Sequence, residues 1–87
     1  MEKRYTITQS VRDTLAELPH DIDFKGYDFL AKCRTKLRKN GSLAKPFDAT
    51  LLREMRSLRH LYGITLVDRS KSIYHKGKKT VWNTDLQ

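Results

Sequence analysis

The period of the apolar residues changes at one point, Gly63, and that change limits the possible folds more than any other feature of the chain. Before it, Leu51, Met55, Leu58 and Tyr62 recur at i, i+4, i+7 and i+11, the spacing of one helix face. After it, Ile64-Thr65-Leu66-Val67 is apolar and β-branched, Asp68 to Ser72 is a polar turn, and Ile73-Tyr74-His75 returns. Glycine stands where a helix commonly needs a left-handed residue to stop. The segment is therefore predicted to be an amphipathic helix that feeds directly into a two-stranded β-hairpin, and the fold class is α+β.

The start of that helix is marked by Pro46 and by Asp48 as a candidate N-cap, with Phe47 and Leu52 at hydrophobic-staple spacing. Two further helices are predicted upstream. The first begins near Thr6–Thr8, where Thr6 and Gln9 have capping-box spacing, buries Val11, Leu15 and Leu18, and ends at Pro19. The second runs from about Lys25 to Lys39 over a stripe of Leu30, Cys33 and Leu37 and stops at Asn40-Gly41. Gly26 lies on the same side as that stripe and is expected to admit a close helix–helix approach. Residues 19–24 read as a connection that can hold a very short strand at Ile22, and residues 40–46 read as a loop. Thr80-Val81-Trp82 extends the sheet or packs as a tail, and Asn83 to Gln87 is expected to fray. With 87 residues the chain is one domain, its core at about 6–76 and a basic tail at 77–87.

Charge supplies the functional direction. Apolar residues make up 38% of the chain, against ~45–50% in an average domain. Lys and Arg number 18 against 10 Asp and Glu, a net charge of +8. Residues 1–30 carry four basic and six acidic side chains, whereas residues 31–87 carry fourteen and four. The entire excess therefore sits in the last two thirds. A one-sided cationic surface points first to nucleic acid, because neutralising phosphates releases condensed counterions.

Other classes fall away. A single cysteine, Cys33, closes no internal disulfide, and on an apolar stripe it is a small core residue. No apolar run approaches the ~18 residues of a membrane span, and no hydrophobic signal segment follows the basic N-terminus. The expected location is cytoplasmic, on the nucleoid when DNA-bound. His20, Cys33, His60 and His75 match no compact zinc spacing. Asp21, Asp23 and Asp28 lack the remaining ligands of a calcium loop and read as helix caps, Asp23 foremost. No phosphate-binding glycine loop occurs, and no Ser/His/Asp set has persuasive context. Neither an enzyme nor a cofactor or metal is expected.

The residues FDATLLREMRSLRHLYGITLVDRSKSIYHK, 47–76, resemble the recognition helix and wing of a winged helix–turn–helix domain. The segment is also similar in pattern to winged-helix modules at the C-termini of some restriction endonucleases. The resemblance implies three helices with a C-terminal hairpin, the third helix in the major groove of double-stranded DNA and the hairpin on the sugar–phosphate backbone. A small stand-alone module of this kind suits a prokaryotic, phage or plasmid regulator of transcription.

The polar side of the third helix fits that expectation. At roughly 100° per residue, Arg53, Arg56, Ser57 and His60 fall about 140–240° from Leu51, opposite the apolar stripe. Arg53 and Arg56 are the candidates for base readout, since Arg bonds bidentately to guanine, with Ser57, His60 and Thr50 beside them. Arg59 lies on the flank and is expected on the backbone. So are Arg69 and Lys71 in the hairpin turn, Lys76, Lys78 and Lys79 beyond it, and Lys36, Lys39 and Lys45 before the helix. The opposing explanation is a solvated charged face and a turn that discourages edge pairing. It is weakened because the helix carries a single acid, Glu54, after Asp48. Useful specificity favours a homodimer or a protein partner, because one module covers little DNA. RNA or single-stranded DNA, stacked on Tyr74 or Trp82, ranks below duplex DNA. The rival function is a protein-interaction module, an adaptor or inhibitor, with the mildly charged first helix as its face.

Overall fold

A computed structural model describes residues 4–78. In chain order they form α1 (Ile7–Glu17), β1 (Ile22–Lys25), α2 (Gly26–Lys39), α3 (Asp48–Tyr62), β2 (Ile64–Asp68) and β3 (Ile73–Lys76). The three helices and one antiparallel sheet make a small α+β domain. Lys79, the segment Thr80–Trp82 and the frayed end predicted beyond it lie outside the described residues.

The helix boundaries follow local chemistry. Thr6 caps α1, its hydroxyl accepting the Gln9 N–H at 3.0 Å. Only half of the predicted capping box forms, because the Gln9 side chain donates to Asp13 instead, at 2.7 Å. Leu18 turns extended at ψ 139°, as the residue before Pro19 must. Gly63 ends α3 at φ 65°, the left-handed conformation the sequence marks. Asp48 is not the N-cap of α3. It is the helix's first residue, preceded by Phe47 with no side-chain cap, and it pairs with Arg34 of α2 at 2.6 Å. The staple is also absent, since Phe47 is 80% exposed.

The sheet departs from the expected two-stranded hairpin. Its order is β1-β3-β2, both pairings antiparallel, with Ile22 opposite Lys76 and Ile64 opposite the same residue from the other side. The very short strand expected at Ile22 forms, as the four residues of β1, and joins the hairpin as a third strand; α2 starts at Gly26, next to the expected Lys25. Asp23 caps no helix. It sits in β1, and its carboxylate meets His75 Nδ1 at 2.7 Å, with Asp21 3.3 Å from the other ring nitrogen. Backbone bonds extend both ladders past the strands, Asp21 N–H to Gly77 O and Gly77 N–H to Gly63 O.

The core joins all six elements. Val11 and Leu15 of α1, Phe24 of β1, Phe29, Leu30 and Cys33 of α2, Leu51, Met55 and Leu58 of α3 and Ile64 of β2 form one buried cluster. Tyr74 closes it from β3, its ring stacked on Phe24 with centroids 5.7 Å apart. Gly26 permits close approach, but to the hairpin rather than to a helix. A Cβ there would stand 2.5 Å from Ser72 Oγ, and the Gly26 N–H donates to Ser72 O at 2.8 Å. This contact docks the end of the β2–β3 turn onto the start of α2.

Candidate nucleic-acid interface

Burial of Leu51, Met55 and Leu58 fixes the rotation of α3 about its axis. The opposite side is consequently turned outward. Arg53, Arg56, Ser57, Arg59 and His60 are all exposed, and Thr50 is half-buried near the N-terminal end. The two acids of the helix are both drawn onto other elements. Glu54 accepts the Thr8 hydroxyl of α1 at 3.0 Å, and Asp48 holds Arg34. The charged side chains left on the outward face are therefore arginines. Among the described residues no carboxylate forms a salt bridge to Arg53, Arg56 or Arg59.

The β2–β3 turn is organised by Asp68. Its carboxylate accepts the Ser70 hydroxyl at 2.8 Å and the Lys71 N–H at 3.2 Å. These hydrogen bonds, the Ser70 hydroxyl foremost, hold the Asp68 carboxyl below the usual carboxylate range. Arg69 and Lys71 flank it and are exposed. Between the turn and α3 lies a groove of about 470 Å³ lined by Met55, Arg56, Arg59, Ile64, Thr65, Leu66, Arg69 and Tyr74. The structure thus brings Arg56 and Arg59 of the helix together with Arg69 of the hairpin. A register shift between Leu66 and Asp68 bends the edge strand there.

The remaining basic candidates divide. Lys39, Lys45 and Lys78 are exposed. Lys36 is half-buried and paired with Glu17 of α1 at 2.6 Å. Lys76 is no backbone contact: it is 1% exposed. Its ammonium donates to Leu15 O and Leu18 O, 2.7 Å each, and lies 5.9 Å from the centre of the Tyr62 ring. Leu15 O is in the last turn of α1, where Pro19 has no N–H to offer it, and Leu18 is the helix's C-cap. Lys76 is a structural cap delivered from β3, and desolvation lowers its pKa. Burial likewise pushes the Cys33 thiol up to about 11, in keeping with a core role.

Among the described residues no helix is long and apolar enough to cross a membrane, and no group of three His, Cys, Asp or Glu is placed to hold a metal ion. Sequence reasoning missed the sites of Phe24 and Phe29 in the core, the His75–Asp23 pair and the apolar floor of the groove. The last had a signal, Ile64 and Leu66 at the i, i+2 spacing of one strand face. No family model, curated protein or solved structure matches the chain.

Proposed function

We propose that this chain is a double-stranded DNA-binding module of winged-helix type. One observation carries the proposal: the outward face of α3 presents Arg53, Arg56, Ser57 and His60 to solvent while both acids of the helix are engaged elsewhere. In this reading α3 lies in the major groove, which is wide enough to admit a helix. Arg53 and Arg56 then read guanine edges, and Arg59, Arg69 and Lys71 hold the sugar–phosphate backbone. Lys39, Lys45 and Lys78 add longer-range attraction to polyanion. An antiparallel hairpin placed immediately after the third helix supports the winged-helix assignment, and the strand from the α1–α2 connection is compatible with it. As a small regulator the module would occupy an operator as a homodimer or beside a protein partner, in the cytoplasm.

Selection of bound sequences from a random duplex pool tests the proposal. A defined consensus is expected, and Arg53→Ala or Arg56→Ala should relax it at one position each. Recovery of no consensus, or an unchanged consensus in both variants, rejects the groove assignment.

The rival function, an adaptor or inhibitor, draws on a different observation. Tyr27, Leu43 and Phe47 are exposed on the side of α2 and the loop before α3. The apolar residues of α1 face the core instead, so α1 is a poorer docking face than its mild charge suggests. Absence of duplex binding at low salt would favour this function.

A further inference from the structure

The groove between α3 and the hairpin has a composition that duplex DNA does not use. A phosphodiester strand asks for cations and hydrogen-bond donors. Arg56, Arg59 and Arg69 supply these at the rim. The floor is different: Met55 and Ile64 are buried beneath it, Leu66 is 50% exposed, and Tyr74 is fixed in place by its stack on Phe24. No acidic side chain lines the groove among the described residues. Its volume of about 470 Å³ falls within the range of small-molecule sites, roughly 300–1,000 Å³. An apolar floor under a guanidinium rim is complementary to a molecule with a compact apolar body and one anionic group.

We infer that this groove binds a small amphipathic anion, an aromatic or short acyl body bearing a carboxylate, sulfonate or phosphate monoester. The body covers Leu66 and Tyr74, and the anionic group sits between Arg59, Arg56 and Arg69. The same arginines serve the DNA face, so the bound anion and duplex DNA exclude one another. Their competition rests on the function proposed above, whereas the ligand site itself does not. Such a ligand would make the module a release switch: occupancy withdraws cations from both α3 and the hairpin.

The test uses anilinonaphthalene sulfonate as a fluorescent probe on the full chain, with naphthoate and neutral naphthylmethanol as competitors. Saturable binding of one probe per chain is expected, displaced by naphthoate and not by naphthylmethanol. Arg59→Ala and Arg69→Ala should each weaken it about tenfold, the loss of one charge-assisted contact. Arg38→Ala, outside the groove, should leave it unchanged. Cooperative thermal unfolding of each variant guards against dye uptake by a loosened core. Unsaturable binding, equal displacement by the neutral compound, or indifference to both groove substitutions overturns the inference. Probe binding without duplex binding upholds the ligand site and removes the DNA function. Duplex binding without probe binding does the reverse.

Discussion

Lys76 shows how far a single side chain can depart from what its charge suggests. Five basic residues lie between Arg69 and Lys79 in the sequence, and nothing local separates Lys76 from the others. The register does: opposite both Ile22 and Ile64, it is central in the sheet and points at the end of α1. Replacing it by Met keeps most of the volume but strips one buried and one half-buried carbonyl of their donor, at a cost of about 1–3 kcal/mol. Chemical denaturation should register that loss, while the salt dependence of DNA binding stays that of the unsubstituted chain. An unchanged midpoint would refute the capping role. Its pH dependence has a defined sign. Because the folded-state pKa is lowered, the unfolded chain binds the proton more tightly. The stability that Lys76 contributes should therefore rise with pH between that lowered value and 10.5, read as the difference between the parent chain and Lys76→Met, because the raised Cys33 thiol acts with the opposite sign in the alkaline range. Asp13 works the opposite limb. The Tyr5 hydroxyl donates to it at 2.6 Å and, with Gln9, holds its carboxyl below 3.8. That contribution is present above the ordinary carboxylate pKa and is lost as pH falls through the folded value. Acid titration of Tyr5→Phe should show a shallower loss than the parent chain.

Each element owes its place to features of different range. The end of α3 and its rotation were legible because its apolar stripe is long and strictly periodic and Gly63 stops it. Gly63→Ala, which forces a Cβ onto φ 65°, should cost about 1–2 kcal/mol by thermal unfolding. A neutral outcome would mean that the α3–β2 junction relaxes. The start of α3 was misread because capping is a competition. Asp48 has the right side chain for a cap but finds a guanidinium, Arg34, that only the fold brings near. A short strand at Ile22 was legible but its place in the sheet was not, for a similar reason: Ile22-Asp23-Phe24-Lys25 is too short to show a period, and its pairing with β3 spans some fifty residues of sequence. Phe24 joined the core through that pairing, and Phe29 of α2 lies beside it, the ring centroids 6.2 Å apart. On the cationic face, the outward placement of Arg53 and Arg56 was readable from helix geometry alone, whereas the groove required the hairpin to fold back beside α3. The two sets should separate in binding. Arg53→Ala or Arg56→Ala is expected to cost about 1–3 kcal/mol on the selected sequence and much less on random duplex. Arg69→Ala or Lys71→Ala should weaken both alike. Equal, sequence-blind losses from all four would argue that α3 lies on the backbone rather than in a groove.

Taken whole, the molecule is a cationic body with an uneven surface. Both acids of α3 point to other helices, Glu17 neutralises Lys36, and Asp21 and Asp23 are occupied with His75, so excess positive charge is left on α3 and the hairpin. Charge of this kind has a thermodynamic signature that hydrophobic docking lacks. Each phosphate neutralised releases counterions and adds about 0.9 to the slope of log K against log salt. Binding of the chain to random duplex DNA should therefore be measured across a range of salt concentrations. With Arg59, Arg69 and Lys71 on phosphates, a linear decline with a slope of about −2.7 or steeper is expected, flattening by about one in Arg69→Ala. No binding at low salt, or a slope near zero, would contradict the placement of α3 and the hairpin on DNA.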